Sequence, residues 1–281
     1  MRFLSFRAGN VARYGMVDGK KLIDLTPRLK YPDLKALIAA DASAEAARET
    51  KGAAADYTLD QIIFDPTIPN PDKIVCVGLN YHEHLNETGM AKHDYPTIFT
   101  RWADTQVGHL RPLIRPRNSE TFDYEAELAV VIGKGGRHIA ESDAMKHVAG
   151  YACYNEVSVR DHQRHASQWT PGKNFPGTGA FGPFMVTPEE MGQLAGKKIQ
   201  TRVNGKTMQS STLDMMIFGV PRLIEYISSF TPLSPGDVIV SGTPGGVAWV
   251  RTPPPWMKPG DIVEVEIDGV GLLKNPIVDE A

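Results

Sequence analysis

The sequence predicts an α+β fold that is mainly β, with a mixed β-roll or barrel preceded by a small N-terminal α/β domain. Short runs of β-branched and aromatic residues alternate with turn residues over most of the chain, as is typical of a β-rich domain. Only one long stretch, from residue 31 to about residue 57, is Ala-rich with helical spacing. Seven prolines between positions 232 and 259 favour strands joined by long loops over a βαβ array.

The first 70 residues predict the smaller domain. The initial 30 residues read as short strands, and Asp18-Gly19 marks a hairpin turn before the helical stretch. Prolines at 66, 69 and 71 follow, and neither a helix nor a central strand continues easily through such a segment. The predicted domains are therefore residues 1–70 and residues 71–281.

The second domain contains most of the predicted strands. KIVCVG (73–78) predicts a buried strand, and TFDYEAELAVVIGK (121–134) predicts a long one with a β-branched end. ESDAMKH predicts a short helix with Ser142 as its N-cap. The other predicted elements are a hairpin at Asn204-Gly205, a helix over 220–230, and strands within 237–242 and 261–271.

The composition excludes several classes of function. The net charge of −3, from 33 acids and 30 bases, supplies no field for capturing nucleic acid or an anionic membrane. No apolar run approaches the roughly 20 residues that cross a bilayer, and the start lacks the apolar core of a signal peptide. We therefore expect a soluble, cytoplasmic protein. Cys76 and Cys153 lie in apolar runs and are expected to be buried free thiols.

Three acids adjoin hydrophobic strands. Glu125 and Glu127 are two residues apart, so in a strand their side chains point to the same face and repel each other. Glu156 follows another apolar stretch, where an unpaired charge is costly to bury. The three acids predict a hard divalent cation, Mg²⁺ or Mn²⁺, with Ca²⁺ as a possible substitute in a crystal. The alternative is that they are ordinary surface charges.

A histidine and an acid follow the strand KIVCVG. His84 and Glu87 are i and i+3 neighbours on a predicted helix and can hydrogen-bond there. A carboxylate beside an imidazole fixes its tautomer and raises its basicity, as a general base requires. A polar helix with a fortuitous pair is the alternative.

Polar donors follow Glu156 along the chain. If Glu156 binds a cation, Arg160, Gln163 and Lys173 lie near its substrate and can stabilise negative charge on an enolate oxygen. Thr243 lies in the Gly-rich turn SGTPGG, whose backbone N–H groups can bind a carboxylate. A basic, polar surface loop is the alternative for the segment that follows Glu156.

Together these segments resemble the catalytic domain of the fumarylacetoacetate hydrolase superfamily, in particular its acylpyruvase and 2-hydroxyhepta-2,4-diene-1,7-dioate isomerase-like branch. The resemblance covers about residues 72–278 and rests on VGLNYHEHLNE, FDYEAELAVVIGK, GYACYNEVSVRDHQ, GKNFPGTGAFGPFMVT, VNGKTMQSSTLDMMIF, LSPGDVIVSGTPGGV and WMKPGDIVEVEIDGVG. It implies a β roll around a metal site, a smaller N-terminal domain and often a homodimer.

The resemblance also implies roles for individual residues. The implied metal ligands are Glu125, Glu127 and Glu156; the implied catalytic residues are His84, Glu87 and Lys173; the implied substrate-binding residues are Arg101, Arg160, Gln163 and Thr243. Two positions depart from the family pattern. Glu156 replaces the usual Asp of N-D-V-S, and Arg101-Trp102 stands where many members have Lys-Pro. Arg101 is expected to mark a changed substrate pocket, because Arg grips carboxylates with paired hydrogen bonds.

The acid triad and the dyad together predict hydrolysis of a carbon–carbon bond in an acylpyruvate or related β-diketo acid, as in the catabolism of aromatic compounds. Decarboxylation of a β-keto diacid, isomerisation of a 2-hydroxy-dienedioate, and hydration or dehydration of a sugar-derived 2-oxo acid use the same site and remain alternatives. A non-catalytic binding protein with a decayed site is the alternative from another class.

Overall fold

The computed structural model of the protein describes all residues from Met1 to Ala281. Its strands are β1 (Arg2–Ala8), β2 (Val11–Asp18), β3 (Lys21–Asp24), β4 (Tyr57–Thr58), β5 (Ile63–Phe64), β6 (Ile74–Gly78), β7 (Thr97–Arg101), β8 (Gln106–Val107), β9 (Leu113–Arg115), β10 (Phe122–Asp123), β11 (Ala126–Ile132), β12 (Val148–Glu156), β13 (Ser158–Val159), β14 (Gly179–Val186), β15 (Lys198–Val203), β16 (Lys206–Thr212), β17 (Val238–Val240), β18 (Ile262–Ile267) and β19 (Gly271–Asp279). Its helices are α1 (Leu34–Ala39), α2 (Ser43–Thr50), α3 (His82–Thr88), α4 (Arg160–Gln163), α5 (Thr170–Lys173), α6 (Pro188–Met191) and α7 (Val220–Phe230). The prediction of an α+β, mainly β fold is confirmed.

One large mixed sheet organises the molecule. Its main strand order is β4-β3-β2-β1-β14-β12-β11-β17-β6-β7, and a second sheet has the order β16-β15-β18-β19-β9. β11 is buried along its whole length because apolar residues cover both of its faces. Leu128 and Val130 belong to the core shared with the second sheet, whereas Ala129 and Val131 belong to the core that includes α1.

The N-terminal segment is continuous with this sheet. β1 pairs antiparallel with β14, and its Phe3 lies in the same core cluster as Phe181 of that strand. The division at residue 70 stays a prediction. The sheet itself extends from the first strand into the part of the chain that carries the acids.

Several sequence-predicted elements differ in detail from the structure. The predicted helix over 31–57 is divided into α1 and α2, because Asp41 adopts a φ of 51° between them. The predicted long strand is divided into β10 and β11, since Asn155 Oδ1 accepts the Glu125 N–H at 3.0 Å in place of a strand neighbour. The segment Glu141–His147 is a 3-10 helix that starts after Ala140, so Ser142 is not its N-cap.

Other elements match the sequence well. The helix predicted over 220–230 is α7, and the Asn204-Gly205 turn joins β15 to β16. Cys76 and Cys153 are buried free thiols, as predicted. None of the helices is both long and apolar enough to span a bilayer.

Candidate metal and substrate site

Three buried carboxylates converge where β11 and β12 lie side by side. Glu127 is on β11, Glu125 immediately precedes that strand, and Glu156 ends β12. The Glu156 N–H donates to the Glu125 carbonyl oxygen at 2.9 Å, which holds the two backbones together. One carboxylate oxygen from each of the three residues lies within 4.8 Å of the others. The structure therefore brings the three sequence-predicted acids together.

Buried cations balance most of this negative charge. The Lys173 ammonium lies between Glu125, at 2.7 Å, and Glu156, which it contacts closely. Arg160 contacts Asp123 at 2.8 Å and Glu125 at 2.6 Å. Burial alone raises a carboxyl pKa, but for Glu125 the charges of Lys173 and Arg160 outweigh burial, so its pKa lies below the ordinary value.

Glu127 has no cationic partner. Its carboxylate accepts a hydrogen bond from the Gly242 N–H, and no Lys, Arg or His lies within 4 Å of it. Burial, reinforced by the charges of Glu156 and Glu125, raises the pKa of Glu127 well above its ordinary value. The three carboxylates offer the hard oxygen ligands that a divalent cation binds, and a cation would also neutralise the buried charge of Glu127. The residues present therefore fit such an ion.

The loop after β17 supplies the Gly242 N–H. Gly242 has a φ of 102°, and a Cβ there would lie 2.6 Å from the Cβ of Asn80, so only glycine fits. Next to it, Thr243 Oγ1 accepts a hydrogen bond from Gln209 Nε2 at 2.8 Å. Gln209 Oε1 in turn accepts the Ala126 N–H at 3.0 Å, which ties this loop to β11.

Arg101 does not line the cavity that adjoins the three carboxylates, which is described below. Its side chain is fully buried, and it donates to Glu156 Oε1 from Nε at 2.9 Å and from Nη2 at 2.7 Å. Further hydrogen bonds run to Thr178 Oγ1 at 2.8 Å and to the Val157 carbonyl at 2.8 Å. The expectation that Arg101 binds substrate is thus not supported by its position. Its guanidinium instead orients Glu156, leaving Oε2 to face Lys173.

The two departures from the family pattern therefore contact each other. We expect Arg101→Lys and Glu156→Asp each to destabilise the metal-free protein by about 3 kcal/mol, because each leaves a buried charge poorly paired. The double variant should lose less than the sum of the two single losses, by at least about 1 kcal/mol, because each single substitution already disrupts the one contact that both residues share. Denaturant unfolding in EDTA measures this coupling. Strictly additive losses would mean that the two substitutions are independent.

The predicted dyad is formed on α3. His84 Nδ1 lies 2.8 Å from Glu87 Oε1, and Glu87 Oε2 accepts the Gly246 N–H at 2.7 Å. Because a carboxylate only accepts, the Nδ1 atom donates the hydrogen of this bond, and Nε2 is the ring nitrogen that remains to accept a proton. Asn80 fixes the start of this helix by hydrogen bonds to Phe218 and to the Ser241 carbonyl.

A cavity of about 150 Å³ adjoins these groups. Seven of the sequence-predicted residues line it, namely His84, Glu125, Glu127, Arg160, Gln163, Lys173 and Thr243. Glu87 and Glu156 lie behind its wall, where they contact the lining residues His84 and Lys173, and Arg101 in turn contacts Glu156. Trp169 forms part of the wall only because Gly78 has no side chain, since a Cβ there would lie 2.1 Å from the indole. An engineered protein cavity of about this volume holds benzene, so this cavity has room for a small molecule.

Sequence reasoning missed several residues of this site. Asp123, Gln209, Arg164 and Trp249 were not singled out, although the first orients Arg160, the second holds Thr243 and the last two line the cavity. Asp123 continues the two-residue spacing of Glu125 and Glu127, a signal that could have revealed it. Arg164 lies four residues after Arg160, a helical spacing that could also have revealed it. Gln209 and Trp249 depend on contacts between segments far apart in the chain.

Comparison with known proteins identifies the family. Residues 73–278 match the family model described as fumarylacetoacetate (FAA) hydrolase C-terminal. Over 220 residues the chain is 42% identical to the mitochondrial oxaloacetate tautomerase FAHD2A of Bos taurus, a match that covers 78% of this chain and 70% of that protein.

Solved structures agree over the whole chain. The fumarylacetoacetate hydrolase of psychrophilic Exiguobacterium antarcticum superposes with a TM-score of 0.85 at 30% identity, covering 100% of both chains. The maleylpyruvate hydrolase of Sphingobium sp. SYK-6, solved with manganese(II) and pyruvate, superposes with a TM-score of 0.83 at 26% identity and also covers 100% of both. The chain therefore belongs to the fumarylacetoacetate hydrolase family, whose members are enzymes.

Proposed function

We propose that this enzyme interconverts the keto and enol forms of a small 2-oxo acid at a divalent-metal site. The observation that carries the proposal is that Glu125, Glu127, Lys173 and His84 meet at one small cavity, with Glu156 and Glu87 in contact directly behind them. The description of 42%-identical relatives as oxaloacetate tautomerases supports this reaction over others of the family.

Glu125, Glu127 and Glu156 would hold the cation, Mg²⁺ or Mn²⁺. When bound, such an ion acts as a Lewis acid that withdraws electrons from the 2-oxo group and makes the neighbouring C–H more acidic. The protein groups move the proton: His84 Nε2 removes it from the carbon next to the oxo group, the electron pair passes to the oxo oxygen, and that oxygen takes a proton from solvent to give the enol. Glu87 stabilises the imidazolium that results.

Lys173 acts as a cation in this scheme. Burial alone lowers an ammonium pKa, but the charges of Glu125 and Glu156 outweigh burial and raise the pKa of Lys173. It is therefore protonated at neutral pH and donates to developing negative charge on the enolate oxygen, whereas a neutral lysine would serve as a base. Gln163 and Thr243, on the same cavity, supply further polar contacts for the substrate carboxylate.

Hydrolysis of a carbon–carbon bond in an acylpyruvate is the second candidate, and the dyad is the observation that favours it. A free imidazole nitrogen oriented by Glu87 can activate water to attack a carbonyl, after which the departing enolate needs the same cations. The 26%-identical maleylpyruvate hydrolase structure with manganese and pyruvate supports this candidate. The predicted homodimer and cytoplasmic location stay predictions.

A paired assay on the Mn²⁺-loaded enzyme separates these reactions. For the first, enol oxaloacetate should ketonise faster than in buffer, with deuterium entering C3 in D₂O and no carbon dioxide released. For the second, acetylpyruvate in H₂¹⁸O should yield acetate that carries the label. Absence of catalysed ketonisation and exchange overturns the first proposal, and labelled acetate alone establishes the second in its place.

A further inference from the structure

We infer that Arg164 binds a second carboxylate of the substrate, so that the enzyme selects 2-oxo diacids over 2-oxo monoacids. This inference rests on the proposed function and names the class of substrate for the same cavity. Arg164 directly follows α4 and lies on the cavity wall beside Gln163. Neither composition nor motif singled it out.

The charge pattern of the cavity carries the inference. Among the cationic side chains that line it, Arg160 contacts Asp123 and Glu125, and Lys173 contacts Glu125 and Glu156. Arg164 also lines this cavity, is exposed, and has no carboxylate within 4 Å of its guanidinium. The neighbouring Asp161 is already engaged by the Ser119 hydroxyl at 2.8 Å and by His162 Nδ1 at 2.9 Å.

Two features orient Arg164 toward a ligand. Residues 160, 163 and 164 are spaced i, i+3 and i+4, which places their side chains on one side of the helical turn, and all three line the cavity. The Arg164 guanidinium also lies over the indole of Trp249, with its central carbon 5.6 Å from the ring centroid. An aromatic face restrains the guanidinium plane without using its N–H donors.

The chemistry of a free, restrained guanidinium specifies its ligand. Five N–H donors in a planar fork match the two oxygens of a carboxylate, and such paired, charge-assisted hydrogen bonds are the strong ones. In the proposed reaction, the carboxylate next to the oxo group lies near Lys173. Arg164 would therefore bind the second carboxylate, at the other end of the substrate. A small cavity of about 150 Å³ limits the spacer between the two to a few carbons.

Two unreactive acids test this inference independently of any turnover. L-malate and (S)-2-hydroxybutanoate differ only in that a methyl group replaces the distal carboxylate, and neither has the oxo group that enolises. Calorimetric titration of the Mn²⁺-loaded protein should show malate binding about 10-fold more tightly or better. Arg164→Gln should remove that preference while leaving the affinity for hydroxybutanoate unchanged, and Arg164→Lys should retain part of it.

A matched variant controls for net charge. Arg137 is exposed, has no carboxylate within 4 Å and does not line the cavity, so Arg137→Gln should leave both affinities unchanged. Equal weakening of both acids by Arg164→Gln, or an equal effect of Arg137→Gln on malate, overturns the inference. A preference for malate that depends on Arg164 supports the diacid site even if the enzyme leaves oxaloacetate unchanged, in which case the proposed reaction alone fails.

Discussion

Glu127→Gln is expected to weaken Mn²⁺ binding by at least about 100-fold and to abolish activity at micromolar metal. Mutating a residue that only orients a metal ligand already costs about 10- to 100-fold in metal affinity. Glu127 is proposed as a direct ligand, and its carboxylate is the one that no side-chain cation neutralises. The neutral amide keeps the size of the side chain and removes the charge that attracts the ion.

The same substitution is expected to stabilise the metal-free protein. A buried carboxyl whose pKa is raised supports folding at pH values below its unfolded pKa, and that support is lost as pH rises towards its folded pKa. At neutral pH, Glu127 therefore opposes folding unless a cation is bound. In EDTA, Glu127→Gln should unfold at a temperature equal to or above that of the wild type.

Thermal unfolding with and without Mn²⁺ measures both effects together. Metal at 100 times the wild-type Kd stabilises the wild type by about 2.7 kcal/mol, whereas 100-fold weaker binding leaves about 0.4 kcal/mol for the variant. Exposed Glu189, which has no ion-pair partner, supplies the control Glu189→Gln, and it should behave as the wild type in both conditions. A normal Mn²⁺ response of Glu127→Gln would remove Glu127 from the metal site.

The sequence predicted the parts of this site that local geometry determines. Alternation along a strand was enough to place Glu125 and Glu127 together, and the i, i+3 spacing was enough to pair His84 with Glu87. The apolar setting of Glu156 predicted that it needed a partner. Only the His84–Glu87 contact follows from a single regular element, because Glu125 lies in the short gap between β10 and β11.

The role of Arg101 could not be predicted in this way. It ends β7, and its partner Glu156 lies 55 residues further along the chain at the end of β12, with three strands between them in the sheet order, so only the complete tertiary fold brings them into contact. The same holds for Gln209, which reaches Thr243 from a different sheet. The sequence favoured a substrate ligand because Arg101 departs from the family pattern and arginine binds carboxylates with paired hydrogen bonds, and a buried carboxylate of the protein meets the same description. The tertiary contact decides between the two.

The second large effect is expected at the dyad: His84→Asn should lower kcat by about 10²- to 10⁴-fold, the usual contribution of a general base. Mn²⁺ affinity should change little, because His84 contacts Glu87 and none of the three carboxylates. Glu87→Gln should reduce kcat by a smaller factor, since the imidazole remains but loses the acceptor that fixes its tautomer. The double variant should be no slower than His84→Asn alone, because both residues act on one proton transfer.

A neighbouring histidine provides the matched control. His82 lies two residues earlier on α3 and is exposed, so His82→Asn changes the same type of side chain on the same helix outside the cavity. It should retain wild-type kcat and Mn²⁺ affinity. If His84→Asn lost metal affinity and activity in parallel, the imidazole would stabilise the metal site and would not be the base that removes the proton. A selective loss of kcat at saturating Mn²⁺ instead identifies His84 as the base, because only proton transfer then distinguishes the variant from the wild type.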